Sequence, residues 1–228
     1  MNKIVLVVFD MAGTVVNEDN VVYKTLREAI NRQGHDLSLD FVLEHGAGKE
    51  KHQAIKDILS KAHPDESIRS EAIFEQFKAI LGIAYKELVV TSYDGVETLL
   101  TDLKRKNIKI ALNTGYSKPI AQQLLQKMHW VMGEQYDVLV TADDAILGRP
   151  NPDMIFKAME LLAVTDASKV MKVGDSIIDI EEGKNAQCGL TIGVTTGAHS
   201  RAQLLSAAPD YVVDSLTEIR NIPGIFAK

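Results

Sequence analysis

A chemical reading of this chain forms around Asp10. It closes the apolar run 4–9, whose length and β-branched content suit a strand buried on both faces, and the small-residue turn Ala12-Gly13-Thr14 follows it. In open parallel α/β sheets, ligands bind at the carboxyl ends of the strands. A carboxylate there stands at the mouth of the sheet, with turn backbone able to face an anion. The same pattern also fits an ordinary strand followed by an Asp-containing turn, so the other strand ends must decide. Three of them carry polar residues. Thr114-Gly115-Tyr116 follows the run 110–113, and a hydroxyl beside a helix start suits a phosphate, although a lone threonine there also serves as an N-cap. Arg149, in Gly148-Arg149-Pro150-Asn151-Pro152, could clamp phosphate while the prolines start a helix. Asp175 and Asp179, four apart after the run 170–173, could help to hold Mg²⁺, a hard cation that takes oxygen ligands; Asp179 alone also fits a helix-start acid.

The elements that must position these residues can be read from periodicity. No strand-like run occurs between 21 and 88, where helical patterns cover roughly 21–33, 38–44, 49–61 and 67–88, separated by Gly34, Gly46-Ala47-Gly48 and His63-Pro64. From about 95 the pattern alternates. Helices are expected over 95–106, 117–129, 152–163 and 178–187, with strands over 108–113, 138–140, 170–173, 190–194 and 211–213. Such alternation predicts an α/β fold with a parallel sheet covered by helices on both faces. The helical stretch after the first strand predicts a second domain, hinged near 15–21 and 89–94.

Composition excludes several classes of function. With 25 basic against 31 acidic residues, the net charge is −6, and no basic cluster offers a nucleic-acid footprint. Cys188 is the only cysteine, so neither a disulfide framework nor a thiolate zinc site is available. The apolar opening is too short for a secretory signal and is interrupted by Asp10, and no run reaches membrane-spanning length. The expectation is a cytoplasmic protein without nucleic-acid or membrane partners.

These pieces, in this order and over essentially the whole chain, resemble the haloacid dehalogenase superfamily. Asp10-Met11-Ala12-Gly13-Thr14 is similar to its first motif, Thr114 to its second, Arg149 to its third (usually lysine) and Gly174-Asp175-Ser176-Ile177-Ile178-Asp179 to its fourth. The resemblance implies a Rossmann-like core formed by residues 1–16 and 93–228, with an all-helical cap domain inserted as residues 17–92. It implies Mg²⁺ held by Asp10, the backbone carbonyl of Ala12 and Asp175, with Asp179 orienting neighbouring groups or a metal-bound water. Asp10 would attack phosphorus to form an aspartyl-phosphate, Thr114 and Arg149 would hold the transferring oxygens, and Gly13, Thr14, Gly115 and Tyr116 would contact the substrate.

Phosphatases of this superfamily usually carry an acid two residues after the nucleophile, where this chain has Ala12, which cannot donate a proton. Asp-x-Ala-Gly-Thr, Thr-Gly-Tyr and Gly-Arg-Pro together resemble phosphonoacetaldehyde hydrolases, which break a P–C bond with a cap lysine that forms a Schiff base. Gly46-Ala47-Gly48-Lys49-Glu50-Lys51-His52 is similar to their cap motif. It puts Lys49 at the Schiff-base position and His52 at its partner's. At about 100° per residue Lys49, His52, Gln53 and Lys56 form one polar arc, while Ile55, Ile58 and Ala62 form the opposite apolar arc. Lys51 and Lys56 would lower the pKa of the Lys49 amine.

The resulting expectation is a hydrolase of phosphonoacetaldehyde or a related small phosphonate. The alternatives are a phosphomonoesterase of the phosphoglycolate or sugar-phosphate type using the same aspartyl chemistry, or a binding protein with a vestigial site. A 2-haloacid dehalogenase is disfavoured, since that chemistry needs no metal carboxylate such as Asp175. A homodimer is left open.

Overall fold

In a computed structural model, residues 3–63, 70–223 and 225–226 are described. Eight strands and nine α-helices occur among them. The strands are β1 (Leu6–Asp10), β2 (Val16–Asn17), β3 (Thr91–Ser92), β4 (Lys109–Thr114), β5 (Val138–Thr141), β6 (Val170–Gly174), β7 (Leu190–Val194) and β8 (Tyr211–Val213). The helices are α1 (Val21–Asn31), α2 (Leu39–Gly46), α3 (Lys51–Ala62), α4 (Ser70–Glu87), α5 (Val96–Arg105), α6 (Lys118–Lys127), α7 (Asp153–Leu161), α8 (Ile177–Asn185) and α9 (Arg201–Ser206).

Six strands form one parallel sheet in the order β5-β4-β1-β6-β7-β8. The expected α/β fold with a parallel sheet is present. All five residues of β1 are buried, as a continuous apolar run in a parallel sheet requires. Strand alternation divides them. Val7 and Phe9 join the larger core with Ile110, Leu112, Met171 and Val173, while Leu6 and Val8 join a second core with Met154, Ile155 and Ala158 of α7. Register then places the chemistry. Asp10 stands opposite Asn113, and Phe9 opposite Val173, so Asp10, Thr114 and Asp175 emerge together at one edge of the sheet. β1 lies at the topological switch point, its neighbours β4 and β6 continuing the chain to either side.

The helices α1 to α4 lie between β2 and β3 in sequence and pack on one another, α1 against α2 and α4, and α3 against α2 and α4. β2 and β3 pair antiparallel, Val16 with Ser92 and Asn17 with Thr91, so the chain leaves the sheet and returns to it side by side. Gly46 lets α2 and α3 approach closely, since a Cβ there would meet Ile58 Cδ1 at 2.8 Å.

One boundary differs from the periodicity reading in a way that matters. The helix expected from residue 49 begins at Lys51, because the Glu50 side chain caps it, accepting from the amides of His52 and Gln53. Lys49 therefore stays in the turn. The helix expected over 67–88 is described from Ser70, and the Pro64 break lies outside the described residues.

Candidate active site

At the mouth of β1, Arg149 donates from Nη1 to Asp10 Oδ1 at 2.7 Å and to Asp179 Oδ1 at 3.0 Å. Asp175 is fixed from two sides: Thr14 Oγ1 donates to its Oδ1 at 3.3 Å, and the Ala198 amide donates to its Oδ2 at 2.6 Å. Two glycines leave room for it. A Cβ on Gly13 or Gly197 would lie 2.4 or 2.0 Å from Asp175 Oδ2, and Gly13 also has a left-handed φ of 85°. Gly197→Ala should accordingly displace Asp175 and lower the melting temperature by several degrees, by the roughly 1–3 kcal/mol that overpacking costs; thermal unfolding reads the effect.

Burial and like charge dominate the electrostatics. Burial pushes Asp175 up to about 8, and Asp10 and Asp179 push the same way. Burial also raises Asp10, with Asp179 adding and Arg149 and Lys172 opposing, to about 6. Asp179 is buried as deeply, but Lys172 and Arg149 outweigh desolvation and hold it below the usual carboxylate range. Asp10 and Asp175 are thus short of positive charge. The three aspartates each offer an oxygen, all within 4.8 Å of one another, a hard-oxygen set suited to a divalent cation. Asp179 is the most committed of the three. Its Oδ1 faces Arg149 and Lys172, and its Oδ2 accepts from the Ser176 amide and hydroxyl. It closes a capping box at the start of α8, as the helix-start reading expects.

Asp10, Ala12, Thr114, Gly115, Tyr116, Arg149 and Asp175 line one small cavity together with Tyr23, Gly48 and Lys51 from the helical segment. Thr114 Oγ1 accepts from the Tyr116 amide at 3.2 Å, which leaves its own hydrogen free to donate. Lys51 crosses from the first turn of α3, its Nζ donating to Lys49 O at 2.7 Å and lying 5.2 Å and 5.4 Å from the ring centroids of Tyr23 and Tyr116. Burial, and then Arg149, push the Lys51 ammonium down to about 8.

The remaining expected site residues stand elsewhere. Lys49 pairs with Asp57 and does not line the cavity of Asp10, although it borders a neighbouring cavity with Gly148, Arg149 and Ile178. His52 stacks on Phe74 and reaches Ser70 Oγ at 3.3 Å on α4. The amides of Gly13 and Thr14 are engaged in the local turn, bonding Val16 O and Met11 O, so they are not aimed at a substrate. Thr14 acts through its hydroxyl on Asp175 instead.

Sequence reasoning passed over Lys51, although the signal was there. It precedes Ile55 by four and Ile58 by seven, and so belongs to the apolar arc of α3. It also passed over Lys172, a charge in the middle of the buried strand β6, and Glu182, three residues after Asp179 on α8. Glu18 was missed too. It is buried under the start of α1, where desolvation pushes it up to about 8.

The profile of haloacid dehalogenase-like hydrolases matches residues 4–187. A phosphonoacetaldehyde hydrolase of Latilactobacillus sakei is 29% identical over 266 aligned positions, which take in 100% of this chain and 97% of the relative. That of Parabacteroides distasonis is 27% identical over 256 positions, 96% of this chain and 95% of the relative. The crystal structure of a phosphonoacetaldehyde hydrolase like protein from Oleispira antarctica superposes with a TM-score of 0.82 at 21% identity, covering 96% of this chain and 91% of that one. A predicted phosphoglycolate phosphatase from Haemophilus somnus gives 0.77 at 19%, covering 97% and 98%. No helix among the described residues is long and apolar enough to cross a membrane. With its matched motif residues gathered at the carboxyl ends of β1, β4 and β6, the chain belongs to the haloacid dehalogenase-like hydrolases.

Proposed function

We propose that this hydrolase cleaves the P–C bond of phosphonoacetaldehyde or a related small phosphonate aldehyde, with Asp10 as nucleophile and Lys51 as the Schiff-base amine. The observation that carries this is a buried amine, held near pKa 8, in one cavity with Asp10 and with an alanine at the usual acid position. In this reading Lys51 condenses with the aldehyde and releases water. Asp10 then attacks phosphorus, the P–C bonding electrons pass into the carbon chain as an enamine, and the iminium nitrogen takes up the charge. No proton from position 12 is needed. Thr114 and Arg149 hold the transferring oxygens. Mg²⁺, held by Asp10, Asp175 and the Ala12 carbonyl, would offset repulsion between an anionic nucleophile and an anionic substrate. Residues 17–92 would act as the cap over a core of 1–16 and 93–228. The free volume beside Asp10 is about 20 Å³, room for roughly one water. Substrate entry in this reading therefore requires the turn with Gly48 and the start of α3 with Lys51 to lift together.

Borohydride reduction in the presence of acetaldehyde tests the central step. A stable ethyl adduct should map to Lys51 and not to Lys49. Phosphate release from phosphonoacetaldehyde with no adduct on Lys51 would exclude the mechanism. Because the free amine is the reactive form, kcat/KM should also rise with pH through about 8. A lysine that only grips an anion predicts a fall there.

The buried, protonatable Glu18 favours a second reading, phosphate-ester hydrolysis with an acid other than residue 12. If Glu18 supplies that acid, Ala12→Asp should add little; if instead Ala12 is what withholds ester cleavage, the substitution should raise it by about 10²–10⁴-fold, the usual worth of a general acid. Phosphate release from a panel of esters measures it. Asp175→Asn should raise the Mg²⁺ concentration needed for half-maximal activity in either reading, since an amide is the poorer ligand for a hard cation. An unchanged Mg²⁺ dependence would remove Asp175 from the metal site.

A further inference from the structure

Behind Asp10 lies a buried charge cluster of which the reaction above uses only Arg149. Asn113 Oδ1 accepts from Arg149 Nη2 at 3.1 Å and from Lys172 Nζ at 2.7 Å, while its amide donates to both oxygens of Glu182 at 2.8 and 3.0 Å. Lys172 Nζ also lies 2.8 Å from Asp179 Oδ1 and 3.2 Å from Glu182 Oε2, and Arg149 Nε lies 3.3 Å from Glu182 Oε2. The side chains of Arg149, Lys172, Asp179 and Glu182 are at most 1% exposed. Gly183 makes the encounter possible, because a Cβ there would meet Lys172 Cβ at 2.8 Å and push α8 off β6.

We propose that Lys172 and Glu182 are positioning residues that act on Asp10 through Arg149 and Asn113. They hold the guanidinium in one orientation while the nucleophile changes its bonding. Three features of the geometry support this. Asn113 is bracketed by two cations on its oxygen and by a carboxylate on its nitrogen, so its amide has a single orientation. Lys172 takes up charge on Asp179 and Glu182, which would otherwise draw Arg149 away from Asp10. Stability alone gives little reason for the pair, since two apolar residues of similar size at buried positions are often as stable as an ion pair. The proposal rests on the reading of Asp10 as the group that accepts the phosphoryl.

Beryllofluoride with Mg²⁺ mimics an acyl-phosphate on aspartate and needs no leaving group, so ¹⁹F NMR of its adduct tests the proposal independently of the substrate. The proteins compared are the wild type, Glu182→Gln and the double variant Lys172→Met/Glu182→Gln, with thermal unfolding measured alongside. Adduct affinity, and kcat on the best substrate, should fall about 10–100-fold in both variants, the scale seen when groups that orient a ligand are removed. KM should stay within about threefold, as expected when only transition-state geometry is lost. The double variant should regain the melting temperature without regaining the adduct, and it carries the test if Glu182→Gln does not fold. Wild-type adduct affinity in the double variant, or a loss that tracks melting temperature across both, would overturn the positioning role. A wild-type protein that forms no adduct would overturn the Asp10 reading and this proposal with it.

Discussion

Asp10→Asn should abolish turnover, by about 10⁴-fold or more, the scale on which enzymes fall when a covalent nucleophile is removed. The amide cannot form the acyl-phosphate and is a poor metal ligand. The fold should survive. Arg149 keeps Asp179, Asn113 and Glu182 as partners, so the buried cation is not orphaned. Burial raises Asp10 to about 6 from its ordinary 3.8, so its ionised form is disfavoured in the folded state. A carboxyl raised by folding destabilises above its unfolded pKa and ceases to do so as pH falls below it. At neutral pH and without added metal, the asparagine variant should therefore melt at the wild-type temperature or above it. Residual Mg²⁺-dependent phosphate release beyond a trace would remove Asp10 from the mechanism. A large drop in melting temperature would mean that the carboxylate is structural.

Lys51→Arg should lose P–C cleavage by about 10³-fold or more, as a covalent step is lost, and should lose the borohydride adduct. A guanidinium keeps the positive charge but stays protonated and offers no free amine. Lys49→Arg should change little. Its partner is Asp57 in a part-exposed ion pair, which contributes about 0–1 kcal/mol. Paired kinetics on phosphonoacetaldehyde read both variants. If Lys49→Arg fell and Lys51→Arg did not, the cap would present the turn rather than the helix to the substrate. If Lys51→Arg kept full activity on a phosphate ester, the phosphatase reading would gain.

Much of the site is legible along the chain because each motif residue sits where a strand ends, and strand ends are local events. The apolar run before Asp10, the Thr114-Gly115 turn and the Gly174-Asp175 step need no partner to be recognised. Once the sheet is parallel, pairing of β1 with β4 and β6 brings them together. The phase of α3 was not legible from the motif alone. Lys51 shares the phase of Ile55 and Ile58 and so turns inward, while Glu50 caps the helix two positions later than the pattern of charges suggests and leaves Lys49 outside it. The Gly13 and Thr14 amides face their own turn because the bend back to Val16 needs those bonds.

Lys172 and Glu182 mark the limit of a linear reading. A lysine in an apolar strand and a glutamate on a helix look unrelated until Gly183 lets α8 close on β6 and the two charges meet out of water. The sequence by itself determined which residues stand at the mouth of the sheet, since hydrophobic periodicity and strand termini are properties of short stretches. Only the tertiary structure decided which lysine faces Asp10 and which charges hold Arg149. Those depend on helix phase and on contacts between residues distant in the chain, and a buried charge is tolerable only where such a contact supplies its partner.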